Sequence, residues 1–280
     1  MADTAAQTQY RQEFIATFEE GQSWLRSTCV TEAVIKGNTA TFLVAGSGGA
    51  NAVTRGVNGL IPARADDLTQ TSASLVEWHD LVRKTGFNVF QSQGDQRRIM
   101  QETTVKVINR KIDADIIGQL DTATVDTGTA ATMSLSLIAK SLAILGNSEV
   151  PIQEEDKMFG VITPAALAYL MQVLQFASAD YVEMKPFSGP VRRMRRWFGI
   201  NWIVHPNLTG VGTNLEKCYL YHRDAIGHAM ETGSGMKTAI GYDEEQDYSF
   251  ARATGYFGSK LLQNSGVVQI KHDGSAYVGA

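Results

Sequence analysis

Apolar residues recur every three or four positions over residues 93–120, and this is the clearest periodic pattern in the chain. The residues on the apolar side are Val105, Ile108, Ile112, Ile116 and Leu120. Because charged residues occupy other positions, the pattern predicts one long amphipathic helix, roughly 40 Å from end to end. A second helical pattern over residues 135–145 predicts another helix, which ends at Gly146 and Asn147, residue types that favour a helix C-terminus.

Two extended runs flank a long glycine-rich segment in the first third of the chain. Residues 39–45 read as a strand, residues 74–84 form a second run with interleaved charges, and the segment between them contains Pro62 and shows no helical period. We therefore expect these runs to pair as a two-stranded projection with a wide tip. Loops of this length within a compact domain are usually functional.

Shorter strand patterns follow in the second half of the chain. Thr163 and Pro164 have the residue types of a helix N-cap and a first helical residue, which predicts a strand followed by a helix in this region. Such a unit accounts for residues 158–179, an uncharged stretch of bilayer-spanning length, without a membrane. The strand patterns cover residues 159–162, 196–204, 218–222 and 267–272, and one further strand has Tyr248, Phe250, Arg252, Thr254 and Tyr256 on the same side.

Composition narrows the class of protein. Lys and Arg number 25 against 29 Asp and Glu, and the resulting net charge of −4 argues against a generally basic nucleic-acid binder. Hydrophobic residues make up 44% of the chain, which is enough for a sizeable core. Charged residues make up 19%, against about 25% in typical domains, so we expect neighbours to cover part of the surface. Cys29 and Cys218 predict no disulfide framework, and the N-terminus has no pattern of a secretory signal.

The motifs that would indicate catalysis or a cofactor are absent. Lys237 stands in a glycine-containing segment but follows Met236, where a phosphate-binding loop needs glycine. Cys218 and His222 are four residues apart in a predicted strand, about 13 Å along its length, which is too far for a shared metal. No serine lies in a GxSxG motif. We therefore predict no catalytic residue, no bound cofactor and no metal site.

One short run of the chain is strongly basic, and two interpretations of it remain open. Stacked guanidinium groups contact phosphates in nucleic acids, whereas in a net acidic chain a short basic run more often pairs with the carboxylates of a protein partner. The run precedes Trp197 and consists of Arg192, Arg193, Arg195 and Arg196.

The amino-acid sequences of two segments resemble those of the major capsid proteins of tailed bacteriophages that have the Hong Kong 97-type fold. Residues 54–68 read TRGVNGLIPARADDL, and residues 86–117 read GFNVFQSQGDQRRIMQETTVKVINRKIDADII. The order of the predicted elements agrees with the same family. The resemblance implies an α+β fold with an N-terminal arm, an extended β-hairpin loop called the E-loop, a long spine helix, and peripheral and axial domains. Their expected bounds are 1–38 for the arm, 39–84 for the loop, 85–128 with 243–280 for the peripheral domain, and 129–242 for the axial domain.

This resemblance also implies a function without catalysis. Such proteins self-assemble as pentamers and hexamers into the icosahedral head that encloses double-stranded DNA, so we expect a virion protein that is assembled in the host cytoplasm without a membrane. The arm begins almost at Met1, with no long scaffolding extension, which implies a separate scaffolding protein. A portal protein and a decoration protein are further expected partners, and the acidic balance predicts weak contact with the packaged DNA.

Contacts between subunits are expected at the loop and at the spine helix. Arg55, Asn58 and Arg64 lie in the loop, and we expect the two arginines to reach Asp113 and Asp115 on the spine helix of an adjacent subunit. Relatives that cross-link through a loop lysine differ from this chain, because no lysine lies between Lys36 and Lys84 in the sequence. The basic run at residues 192–196 completes the predicted interface. An encapsulin-like compartment shell and, less well supported, a soluble α/β enzyme are the alternative readings.

Overall fold

The computed structural model describes residues 22–31, 34–47, 49–64, 67–91, 96–174, 194–231 and 236–277 of the chain. Its helices are α1 (Gly86–Gln91), α2 (Gln96–Leu120), α3 (Leu135–Asn147) and α4 (Pro164–Leu170). Its strands are β1 (Val34–Lys36), β2 (Thr39–Gly46), β3 (Asp67–Ser74), β4 (Val76–Thr85), β5 (Met158–Ile162), β6 (Met194–Trp197), β7 (Ile200–Val204), β8 (Glu216–His222), β9 (Ile226–Met230), β10 (Met236–Asp243), β11 (Tyr248–Leu261) and β12 (Val267–His272).

The chain divides into two compact units, each built from separate stretches of sequence. Unit 1 comprises Met1–Ser23, Val76–Asp113 and Met230–Phe257. Unit 2 comprises Trp24–Leu75, Ala114–Ala229 and Gly258–Ala280.

Unit 1 contains the antiparallel sheet β10-β11-β4 and the first part of α2. One side of β11 is buried because its small residues Ala251 and Ala253 let the sheet pack closely in the core. On the same side, the ammonium group of Lys111 in α2 lies 4.0 Å from the centre of the Trp78 ring. Packing against α2 therefore determines which face of this sheet is inside.

Unit 2 is built around the five-stranded sheet β12-β8-β5-β7-β6, in which only β5 and β7 run parallel. All five residues of β5 are buried, as expected for a central strand. Helices α3 and α4 contribute to the core cluster, whose fully buried members include Ile138, Leu145, Met158, Ile162, Leu170, Cys218, Leu220, Val268 and Ile270.

The helical predictions are confirmed from Gln96 onwards; residues 93–95 of the predicted long helix lie outside the described residues. The α2 side chains of Ile108, Ile112, Ile116 and Leu120 are buried, as their period predicts. Thr163 caps α4 by accepting a hydrogen bond from the Ala166 amide at 3.1 Å. None of the described helices is long and apolar enough to cross a membrane.

The predicted pairing of residues 39–45 with residues 74–84 is wrong. β2 pairs with β3 in full antiparallel register, from Thr39 opposite Ser74 to Gly46 opposite Asp67. β4 instead pairs with β11 in unit 1. The sequence of β3, DLTQTSAS, has no alternation of apolar and polar residues, so the hydrophobic pattern gave no sign of this strand.

A second correction concerns residues 196–204, which were expected to form one strand. They belong to two antiparallel strands, β6 and β7, joined at Phe198 and Gly199. Both residues have positive φ, 56° and 71°, the conformation of a two-residue hairpin turn that matches the twist of its strands. Phe198 is consequently exposed in the turn and does not share a buried face with Trp202.

The C-terminus of α2 is capped by the buried side chain of Gln269 on β12. Its amide nitrogen lies within hydrogen-bond distance of three backbone oxygens, at 3.2 Å from Leu120, 2.9 Å from Asp121 and 2.8 Å from Ala123. The Leu120 carbonyl is the last of the helix and also accepts from the Ala123 amide at 3.2 Å, while the Asp121 and Ala123 carbonyls lie in the turn that follows. The last turn of any helix leaves carbonyls that need such donors. One side chain therefore fixes the end of α2 to the sheet of unit 2.

Replacing Gln269 by alanine is expected to lower the free energy of unfolding by about 1–3 kcal/mol, the cost of leaving buried carbonyls without donors. Urea denaturation followed by circular dichroism measures this change. Gln263→Ala is the matched control, since that amide is exposed and makes a single long contact of 3.4 Å to the Asp224 carbonyl. Equal effects of the two substitutions would contradict the capping role.

Candidate assembly surface

The β2–β3 hairpin has a buried base. Ala40, Phe42 and Ala73 form a small core cluster with Ala229. The Phe42 ring lies so close to Gly227 that a Cβ there would meet ring atoms at 2.7–2.9 Å. The absence of a side chain at Gly227 thus lets the hairpin base pack directly on the backbone of β9, and these residues all belong to unit 2.

The burial ends abruptly beyond Phe42. Phe42 is 3% exposed, whereas Leu43, the next residue along β2, is 66% exposed. Residues 49–64, here called the loop tip, connect β2 to β3 without helix or strand and are exposed throughout. The hairpin is therefore anchored at one end and solvated at the other.

Backbone hydrogen bonds form a turn at the centre of the loop tip. The Gly56 amide donates to the Leu60 carbonyl at 3.0 Å, and the Gly59 amide donates to the Gly56 carbonyl at 2.8 Å. Gly59 has a φ of 71°, which favours glycine. Asn58 lies in this turn and is exposed.

Apolar side chains crowd this exposed turn. Val57 is fully exposed, Leu60 is 73% exposed and Ile61 is 68% exposed. Val53, Leu43 and Leu68 extend the apolar surface along the hairpin. Exposed large apolar side chains concentrated in one segment are typical of an interaction site. Among the loop residues, the glycines and arginines were predicted to matter and these apolar residues were not. The segment VNGLIP nevertheless shows apolar residues where a solvated loop is expected to be polar.

Arg55 and Arg64 lie on either side of the apolar turn. Arg64 Nη1 is 3.5 Å from the Ser47 carbonyl, a long contact in an exposed position. Arg55 is exposed and forms no hydrogen bond or ion pair with any residue that the structure describes. The loop tip thus combines apolar side chains with two accessible positive charges.

The two carboxylates expected to receive these arginines have different environments. Asp113 is 2% exposed and accepts a hydrogen bond from the Ser23 hydroxyl at 2.5 Å in unit 1. Asp115 is half-buried in unit 2. Burial leaves Asp113 little surface that an arginine of a neighbouring subunit can reach, which the helical period alone did not indicate.

The basic run is described only in part, because Arg192 and Arg193 lie outside the described residues. Arg195 is half-buried in β6. Arg196 pairs within its own chain, with the Glu155 carboxylate and with Asp156 Oδ1 at 3.4 Å. The structure does not bring the run together with the loop arginines at one described site.

The groups that catalysis or metal binding would use are buried or dispersed. Cys218 is inaccessible in β8, and burial raises the pKa of its thiol to about 12, so it is protonated at neutral pH. Across the described ranges, no three His, Cys, Asp or Glu side chains are close enough together to hold a metal ion. The exposed tip of the β2–β3 hairpin is therefore the candidate functional surface of unit 2.

The surroundings of two buried histidines in unit 2, His222 and His272, lower the pKa of both side chains. His272 Nδ1 lies 3.2 Å from the Ala131 carbonyl and therefore donates, while Nε2 is 4.0 Å from the buried Glu216 carboxylate. His222 Nδ1 accepts from the Asp224 amide at 3.3 Å. Burial is the main cause that lowers the pKa of both imidazoles below the ordinary 6.5.

This lowering predicts a loss of stability in mild acid. As the pH falls through 6.5, the unfolded chain binds protons before the folded chain, so the free energy of unfolding decreases by up to about 1.4 kcal/mol per pH unit for each histidine. Replacing His222 and His272 by glutamine should flatten the dependence between pH 7.5 and 5.5 in urea titrations. An unchanged slope in the double variant would refute this account.

A comparison with protein families gives one match. The family model described as phage capsid protein matches residues 2–274, almost the whole chain. No curated protein sequence matches the chain.

Solved structures agree with this match. A chain from Mycobacterium phage Che8 aligns with a TM-score of 0.76 at 17% identity, covering 96% of this chain and 98% of that one. The capsid of Ralstonia phage GP4 gives 0.67 at 12% identity, with 97% and 96% covered. The capsid of cyanophage P-SCSP1u gives 0.67 at 13% identity, with 94% and 91% covered. These similarities confirm the predicted α+β fold class, that of the Hong Kong 97-type capsid.

Proposed function

Because the chain belongs to the phage capsid protein family, we propose that its copies assemble as pentamers and hexamers into the closed icosahedral head that encloses double-stranded DNA. A shell of this kind is a component of the virion and consists of many copies of one chain. The observation that carries the proposal is the β2–β3 hairpin, whose base is packed in unit 2 and whose apolar tip is exposed.

The hairpin combines a buried base with an exposed tip, which suits a subunit that contacts its neighbours in a shell. A subunit in a shell makes several contacts with identical copies, and each contact is geometrically defined only if the projecting element has a fixed base. Phe42 supplies that fixed base, while Val57, Leu60 and Ile61 offer apolar surface for a neighbour to cover. Covering such surface stabilises association by about 25 cal/mol per Å² buried.

The domain division is part of the proposal. Residues 1–38 would form the arm, 39–84 the extended loop, 85–128 with 243–280 the peripheral domain with its spine helix, and 129–242 the axial domain. The strand pairing of β2 with β3 supports a loop whose hairpin lies within residues 39–74. Arg55, Asn58 and Arg64 would be its interface residues, and Arg192, Arg193 and Arg195 would contact further neighbours.

We also propose the partners that a phage head requires. A separate scaffolding protein would guide assembly in the host cytoplasm, a portal protein would occupy one vertex, and a decoration protein would bind the finished shell. The net charge of −4 supports weak contact with the packaged DNA, because an acidic wall does not retain a polyanion. The role is structural and includes no catalytic step.

Imaging of the full chain tests this proposal. The purified protein is examined by negative-stain electron microscopy and multi-angle light scattering, with and without a scaffolding protein. Capsomer rings or closed shells are the expected result, and their diameter gives the number of subunits. A monodisperse monomer under every condition, scaffolding protein included, would overturn the proposal.

A further inference from the structure

Unit 1 carries an exposed surface whose chemistry complements the loop tip, and we infer that the loop tip of one copy binds the edge of β10 and the following turn on a second copy. This inference rests on the proposed function, since it names the surface that receives the loop in the assembled shell. The surface comprises Ile240, Tyr242, Glu244 and Glu245 and is called the acidic edge.

The acidic edge presents uncovered apolar side chains. Ile240 is 43% exposed and Tyr242 is 47% exposed, both on β10. Among the strands that the structure describes, β10 pairs only with β11, so its other edge has free backbone donors and acceptors. An open strand edge with exposed apolar residues invites association unless a partner covers it.

Two carboxylates complete this surface. Glu244 and Glu245 follow β10 in the turn to β11, where the Glu245 amide donates to Asp243 Oδ1 at 3.0 Å and fixes the turn. Both side chains are exposed, and neither forms an ion pair with a residue in the described part of the chain. The acidic edge thus offers a negative charge beside apolar groups, while the loop tip offers Arg55 and Arg64 beside apolar groups.

Other carboxylates of the chain are less suitable partners for the loop arginines. Asp113 is buried, as described above. Three other carboxylates already pair with a cation of the same chain: Asp126 with Lys271 at 2.6 Å, Glu154 with Lys157 at 2.8 Å, and Glu155 with Arg196. Glu244 and Glu245 remain as adjacent unpaired carboxylates next to apolar surface, which is the combination that matches the loop tip in both charge and hydrophobicity.

A charge swap tests the pairing directly. The variant R55E/R64E and the variant E244R/E245R are each expected to reduce the fraction of protein in sedimenting particles at least tenfold, because each places like charges opposite one another. Combining all four substitutions should restore at least half of the wild-type fraction. The control E149R reverses the charge of an exposed carboxylate outside the acidic edge and should assemble normally. Circular dichroism verifies that each variant is folded.

A cross-link provides a second measurement that does not depend on charge. The native Cys29 and Cys218 are buried, so in the variant R55C/E244C the two introduced cysteines, at exposed positions, are the thiols open to oxidation. Oxidation of assembled particles with copper phenanthroline should give a ladder of covalent multimers on a denaturing gel, and each single-cysteine variant should give no such ladder.

The outcomes separate this inference from the proposed function. If wild-type protein forms shells but E244R/E245R assembles equally well, or the quadruple variant shows no rescue and no ladder forms from R55C/E244C, the acidic edge does not receive the loop. Failure of the wild-type protein to assemble with its scaffolding protein would instead count against the capsid role itself.

Discussion

Replacing Val57, Leu60 and Ile61 together by serine is expected to abolish shell assembly while leaving the folded subunit intact. These side chains are exposed in the single chain, so they contribute little to its folding. Covering a side chain of this type on a neighbour is worth about 1.5–3 kcal/mol. Removing three of them from every subunit contact should raise the critical concentration for assembly by well over tenfold, since each 1.4 kcal/mol is a factor of ten. Static light scattering across a concentration series measures this value.

A buried position at the base of the same hairpin supplies the contrast. Phe42→Ala removes a ring that is buried against Gly227, and such a deletion typically costs about 3–5 kcal/mol of folding stability. Urea denaturation should therefore separate the two variants: the serine triple variant unfolds within about 0.5 kcal/mol of wild type, as surface substitutions usually do. A triple variant that assembles at the wild-type concentration, or that loses as much stability as Phe42→Ala, would show that the tip does not act as an interface.

Sequence periodicity was sufficient for the elements that pack one face against a core. The three-to-four residue spacing over α2 and the Thr163-Pro164 signal at α4 both correspond to structure. The reason is physical, since a helix with a buried stripe must repeat its apolar residues every turn. The same reasoning identified the alternating face of β11, on which Phe250 and Arg252 occupy the opposite side from the buried Ala251.

Elements without a buried face were not predictable in this way. β3 is mostly polar, because most of its side chains are exposed and Ala73 is the one that is buried among those described. β10 has no buried residue, so the hydrophobic pattern gives no sign of this strand either. The turn at Phe198 was missed because a bulky residue with positive φ is unusual, and the hydrophobic pattern continued across it.

In the candidate surface, too, some residues could be identified from the local sequence and others could not. The arginines of the loop tip were identifiable as exposed charges in a glycine-rich segment. The burial of Asp113 depends on the contact with Ser23, ninety residues away, which no local pattern reveals. In the sequence, Glu244 and Glu245 indicate a solvated turn or an ion-pair surface. Their position beside the exposed Ile240 and Tyr242 gives them an interface role in our proposal.

Substituting alanine for Gly160 is expected to cost about 3 kcal/mol, at the upper end of the usual 1–3 kcal/mol for overpacking a core. Gly160 lies in the central strand β5, opposite Trp202 on the parallel strand β7. A Cβ at this position would meet the Trp202 ring at 2.6 Å and 2.7 Å. The ring cannot move away easily, because it is buried and its Nε1 donates to the Trp197 carbonyl at 3.0 Å.

A double-mutant cycle identifies the clash as the cause. In a Trp202→Leu background the smaller side chain leaves room for the new methyl group, so Gly160→Ala should cost less than about 1 kcal/mol there, and the difference is the coupling between the two positions. Gly118→Ala is the control, because nothing lies within 4 Å of the added Cβ, and in helix α2 alanine should stabilise by up to about 1 kcal/mol. Because β5 pairs on both sides, a subunit that fails at Gly160 loses the sheet of unit 2 and with it the buried base of the hairpin. Gly160→Ala protein that unfolds at the wild-type urea concentration would contradict this packing.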